Sequence, residues 1–502
     1  MQKCQRIPQL PSVEWRVMRR WLGSCFAAAL AVLSLTTSQV ALANGRFPRA
    51  QRLVEDVGDA SRLAIYGTYG LLTTSDAGKT WQHVCEAATG PFAGEAPLLE
   101  VLPEGKLVLS SETGLRGSSF PACDWQSVLA PEQPNSVQDI TRDPADDQAL
   151  WALLSEPDVT VGFRSALSHS TDIGATWSES VLVPGDVLGQ GVTIDAAPSR
   201  PGRLYLSGLD AEKNGVLARS DDAGQTWTAF PIPGASSDEL PYLAAIDARD
   251  PDRIFLRTDA LKDYQGELQP DDAFLFSADG GASFTRVLSR RAKLLGFALS
   301  PDGETLLLGY GDPVLYAYTV ESEQVGLYRL RTADLLADPA GAANALEQIF
   351  AGSVTCLRWT VHGLYGCFAQ AEQGFEAGRA NDAEFSLDDA KPFSALLDLR
   401  AVRPLSCAAS SSAGVCLGDA NVGWPFVCTK LGAPCAAGAA APGSDVNAAR
   451  HEADQPGCGC RWQGLDEPRR PRATFLTICA VFLGFYGFRR SRAGRRADTN
   501  AG

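Results

Sequence analysis

Four aspartates recur in one local setting: Asp76 in "TTSDAGKTW", Asp172 in "STDIGATW", Asp222 in "SDDAGQTW" and Asp279 in "SADGGASF". A repeated carboxylate can serve as a general acid or base, as a metal ligand, or as an acceptor that closes a turn. The shared pattern is Ser/Thr, any, Asp, any, Gly, any, Thr/Ser, aromatic. It favours the third role. Gly78, Gly174, Gly224 and Gly281 supply the positive φ of a tight hairpin, and the Asp carboxylate and Ser/Thr hydroxyl accept backbone N–H groups inside the turn. Trp81, Trp177, Trp227 and Phe284 then anchor the turn between sheets. The four aspartates are therefore expected to be structural clamps, with neither catalysis nor metal binding assigned to them.

Other chemistry-bearing residues are sparse or scattered. The chain has 4 His, of which His83, His169 and His362 lie beside strands or boxes, where a surface or capping role is expected. No CxxC cluster or His-rich stretch is present, so no metal and no cofactor are expected. Arg164, Arg257 and Arg358 stand singly on strand-like segments and read as salt-bridged supports. Eight cysteines fall into close pairs: Cys85 and Cys123, Cys356 and Cys367, Cys407 and Cys416, Cys428 and Cys435. Disulfides in an oxidising compartment are the expected reading, with pairing inferred from sequence proximity alone.

The turns must be held by strands, and a second repeated element supplies them. A Pro/Asp/Gly-rich turn leads into a short apolar strand in "GDASRLAIYG", "PEGKLVLSS", "DPADDQALWALL", "SRPGRLYLSG", "DPDRIFLRT", "SPDGETLLLGY" and "VHGLYGCFA". The spacing averages about 50 residues, the period of a β-propeller blade. An all-β propeller of seven four-stranded blades over residues 44–435 is expected, with "ANGRFPRAQRLVED" as the strand that closes the ring. Degenerate copies of the box are read at 114–125 and 385–393.

The 502 residues carry a formal charge of −15. Both ends are basic, and removing 1–43 and 461–502 leaves 30 basic against 55 acidic side chains in the body. Such a surface repels phosphate backbones, so nucleic acid is excluded as a partner. Residues 1–43 combine Arg16, Arg19 and Arg20 with an apolar run and "ALA" at 41–43, the layout of a cleaved export signal whose start could be Met18. Residues 436–460 form a small-residue and polar linker ending in "GCGC", and 461–502 hold the apolar run 473–488 followed by "RRSRAGRR".

The repeated boxes resemble Asp-box (BNR) repeats, found in sialidases, xyloglucanase-type hydrolases, sortilin-like receptors and photosystem assembly factors. The resemblance implies the propeller and leaves function open, since the box sits on the rim in all of them. The tail resembles the MYXO-CTERM sorting signal, which implies processing and surface anchoring at Cys458 or Cys460; a plain single-pass anchor is the alternative. A sialidase-like site would need an arginine cluster, a Tyr/Glu pair and an acid on the central face, and its opening motif is absent from "GRFPRA". A xyloglucanase-type site would need two facing aspartates, which the sequence does not nominate. The expected function is a non-catalytic binding or scaffold module, exported and held at the outer envelope through its C-terminal membrane segment, with a protein or glycan ligand. The alternative is a carbohydrate-active hydrolase, sialidase-like or xyloglucanase-like.

Overall fold

In the computed structural model the described residues are 49–56, 58–90, 98–131, 136–260, 271–311, 324–380, 392–419 and 423–435. The chain divides into two compact units, Met1–Ala439 and Ala440–Gly502, and every described residue belongs to the first. The export signal, the linker, Cys458, Cys460 and the sorting tail lie outside the described residues.

Seven runs of four antiparallel strands follow one another, spanning 50–84, 99–129, 137–182, 190–236, 239–290, 293–350 and 354–397. The fourth and fifth are linked in strand pairing by a single bridge between Ser236 and Glu239. Innermost strands of neighbouring sheets lie side by side from the third sheet to the seventh, then onto the first and second. Arg142 of the third sheet reaches Glu100 of the second at 3.8 Å. The result is a β-propeller.

The anchor segments are the second strands, among them Leu63–Gly67, Leu204–Leu209 and Gly363–Phe368. Their near-continuous apolar character follows from position, because a middle strand in a blade is covered on both faces by its neighbours. Seven apolar clusters fill the seven gaps between sheets. Each fully buried Leu, Ile or Phe in those gaps contributes roughly 1.5–3 kcal/mol.

The repeated turns join third to fourth strands. Asp76 Oδ1 accepts from the Thr80 backbone N–H at 2.9 Å and the Thr74 hydroxyl at 2.7 Å, and its Oδ2 accepts from the Thr80 hydroxyl at 2.6 Å. Asp172, Asp222 and Asp279 make the same three bonds with Ser170 and Thr176, Ser220 and Thr226, and Ser277 and Ser283. The turn glycine has φ from +75° to +91°, and a Cβ there would meet the preceding sheet: Val108 at Gly174, Leu167 at Gly224, Leu217 at Gly281. A Cβ at Gly78 of the first sheet would meet Leu396 of the seventh, so the same close approach recurs at the seam. Trp81 is buried there, Trp177 and Trp227 are half-buried with Nε1 bonded to the carbonyls of Gly174 and Gly224, and Phe284 packs on the gap between fourth and fifth sheets.

Two expectations are corrected at the seam. Among the described residues the strand Ala50–Glu55 pairs only with Leu63–Gly67 of its own sheet and does not complete the last blade. Instead the chain runs past the seventh sheet and lays Arg403–Pro404 parallel to Gln82–His83 on the outer edge of the first. The disulfides are Cys85–Cys416, Cys123–Cys407, Cys356–Cys367 and Cys428–Cys435. Proximity in sequence paired the last two correctly and failed for the first two, because the C-terminal segment returns to the first and second sheets. Among the described residues no helix is long and apolar enough to cross a membrane; the run 473–488 lies outside them.

Candidate functional site in the central channel

Six ionisable side chains on the innermost strands make up the candidate site. Arg52 comes from the first sheet, Glu100 from the second, Asp139 and Arg142 from the third, Asp195 from the fourth and Arg358 from the seventh. Residues of opposite sheets sense each other only across the bore, and Asp195 and Arg358 do so.

Glu100 holds two of the cations. Its Oε1 lies 3.0 Å from Arg52 Nη2, and its Oε2 lies 3.8 Å from Arg142 Nε. Arg52 also donates from Nε to the Leu99 carbonyl at 3.1 Å. Asp139 straps the third sheet to the fourth: Oδ1 accepts from Ile140 N and Oδ2 from Ile194 N, both at 2.9 Å. Asp195 returns the contact, accepting from the Thr141 hydroxyl at Oδ1, 3.2 Å away.

Both aspartates are half-buried on innermost strands, where a carboxylate loses hydration that one or two hydrogen bonds do not replace. Burial pushes Asp139 up to about 7, against the pull of its N–H donors and Arg52. Burial, and then the charge of Asp139, push Asp195 up to about 7 as well. Burial pulls Arg358 below the usual guanidinium value, and Arg142 and Arg52 add to this while Glu100 and Glu55 oppose it. Two carboxyl groups poised near neutrality can each give or take a proton there, as acid/base chemistry requires.

The remaining candidates resolve differently. Arg164 is paired with Asp158 at 2.6 Å, and Arg257 lies 3.8 Å from Asp259 with its guanidinium over Tyr242. Arg358, expected to be a salt-bridged support, has no ion pair among the described residues and faces the bore. A Tyr/Glu pair exists, Tyr365 hydroxyl to Glu55 Oε1 at 2.9 Å, but both are buried and Glu55 also takes the Thr360 hydroxyl, so the pair is a brace rather than a nucleophile.

His83 is no surface residue. It is 1% exposed, its Nε2 lies 2.8 Å from the Tyr69 carbonyl and its ring lies against Trp424, so burial pulls its pKa down to about 4. His169 stacks on Trp151 at 4.1 Å, and His362 Nδ1 lies 3.4 Å from Glu55 Oε2. The box aspartates lie at the rim and take no part in the channel. Among the described residues no cluster of His, Cys, Asp and Glu has the geometry of a metal site.

Sequence reasoning missed Arg52, Glu100, Asp139, Arg142 and Asp195. A usable signal existed, since each is a charged residue on the strand immediately before an anchor segment.

No family model matches the chain. It is 26% identical over 280 residues to a curated xyloglucanase from a Paenibacillus species, a stretch that covers 47% of this chain and 26% of that protein. The chain thus spans about a quarter of the length of that relative. Among solved structures it is similar to an ancestral GH74 enzyme, with a TM-score of 0.48, 14% identity, and coverage of 68% of this chain and 46% of that one. It is also similar to the GH74 xyloglucanase of Xanthomonas campestris, with a TM-score of 0.41, 19% identity, and coverage of 68% and 54%. The match to a xyloglucanase overturns the expectation of a non-catalytic binding or scaffold module and favours the hydrolase.

Proposed function

We propose that this chain is a carbohydrate-active hydrolase that cleaves glycosidic bonds of a polysaccharide, with xyloglucan the first substrate to test. The sequence match to the Paenibacillus xyloglucanase carries the reading. The channel adds a chemical reason, because glycoside hydrolysis uses two carboxyl groups, one giving a proton and one taking it. Asp195, with Oδ2 free of hydrogen bonds among the described residues, donates its proton to the leaving glycosidic oxygen. Asp139 takes the proton of the water whose oxygen bonds to the anomeric carbon. Arg52, Arg142 and Glu100 hold the charge balance around them.

On this reading the rim turns are Asp-box repeats that stiffen the scaffold. The N-terminal signal exports the protein, and the MYXO-CTERM-like tail anchors it at the outer envelope, where polysaccharide is met. Release of reducing ends from xyloglucan, mixed-linkage glucan and xylan by the purified full chain tests the proposal, with Asp195→Asn as the control. Hydrolysis that falls about a hundredfold or more in the variant supports it. Absence of product from every polysaccharide, or full activity in Asp195→Asn, sinks it.

A further inference from the structure

Charge pairing in the channel is uneven. Arg52 and Arg142 share Glu100, and Glu55 is taken up by Tyr365, Thr360 and His362. Arg358 is left over. Its Nε–H is sealed from solvent and makes no hydrogen bond among the described residues. A buried guanidinium donor without an acceptor is costly, and an anion that meets it in a desolvated space gains a charge-assisted bond. The side chain sits on the innermost strand Val354–Thr360 of the seventh sheet, within reach of the charges of Glu100, Arg142 and Arg52.

We propose that the bore binds a carboxylate monoanion, gripped by Arg358 and flanked by Arg52 and Arg142. The planar fork of a guanidinium matches a carboxylate in two-point contact. Arg52, Arg142 and Arg358 set three positive charges against the one carboxylate of Glu100, which leaves room for an added anion while Asp139 and Asp195 hold their protons. The carboxylate can come from a free organic acid or from a uronate residue of a glycan. This site is read by binding and stands whether or not the chain cleaves xyloglucan.

The charged groups that face Arg358 set the pH dependence. They are Arg52, Glu55, Glu100, Arg142 and Asp195, with Asp139 acting on Asp195. Asp139 and Asp195 gain negative charge as pH rises through about 7, so the anion binds more weakly at alkaline pH.

The test is a thermal-shift titration of the full chain at constant ionic strength, near pH 6 and again near pH 8. The probes are sodium acetate and sodium glucuronate, with sodium chloride and sodium sulfate as comparisons. Acetate and glucuronate are both expected to raise the melting temperature more than chloride or sulfate, with a smaller rise near pH 8. A rise with both identifies a free carboxylate as sufficient, and a rise with glucuronate alone identifies the uronate as the source. Arg358→Gln, checked for folding by circular dichroism, is expected to bind about tenfold more weakly or worse, and Arg358→Lys to recover part of the effect. No carboxylate-specific rise in the wild type, or the same rise in folded Arg358→Gln, overturns the proposal.

Discussion

The Trp81 indole donates its Nε1–H to the backbone carbonyl of Leu396 at 2.9 Å, across 315 positions of sequence. Trp227, in the same place within its own turn, donates instead to Gly224 three residues away. The same residue type therefore closes the ring in one blade and only its own turn in another.

Replacing Trp81 by Phe should destabilise the fold by about 1–2 kcal/mol through loss of that long-range hydrogen bond and part of the indole packing. Trp227→Phe loses a local bond at a half-buried site and should cost less. Chemical denaturation of the two variants checks the ranking, and an equal cost for both contradicts a special role for the seam.

Asp279→Ala removes the acceptor for one backbone N–H and two hydroxyls and should cost about 1–2 kcal/mol. Burial pushes Asp76 and Asp279 up, but their several hydrogen bonds together outweigh it and hold both below the ordinary carboxylate value. Their contribution is present above the unfolded value and is lost as pH falls below about 4. Melting temperatures on a pH series from neutral to acid check both statements, and polysaccharide hydrolysis by Asp279→Ala should stay at the wild-type level.

Asp195 shifts in the opposite sense. A folded-state value near 7 means that the folded chain keeps a proton the unfolded chain has already released, so stability falls as pH rises from about 4 to about 7 and levels off above. Asn stays neutral throughout. The stability of Asp195→Asn relative to wild type should therefore climb across that interval, and paired melts at pH steps should show it. A difference that does not vary with pH rules the buried-proton account out.

Cysteine mapping of the non-reduced protein should recover peptides joining Cys85 to Cys416 and Cys123 to Cys407. Removing either cross-link by a double Cys→Ala change should cost about 2–5 kcal/mol, since each closes a loop of hundreds of residues. Recovery of Cys85 linked to Cys123 contradicts the seam described above.

The rim and the channel differ in how much of them the chain order reveals. The box turns and second strands are local features whose partners lie within a few residues, as Thr74, Asp76 and Thr80 show. Their positions therefore follow from spacing and turn chemistry. The channel draws residues from five different sheets, two of them from the third, and the one local mark that Glu100 and Asp195 share is a charge on the strand before an anchor segment. His83 was misjudged for the same reason. Its neighbours on the strand look ordinary, whereas its burial comes from Trp424, which arrives with the C-terminal segment. The disulfide partners of Cys85 and Cys123 belong to that segment too.

A ribosome makes this chain from one end, so Cys85 and Cys123 emerge long before the partners that lie 331 and 284 positions later. The first two blades thus stay covalently open until nearly all the rest has been made. Locking them is a finishing act of biosynthesis, and a truncated product lacking residues 403–435 has no means to perform it.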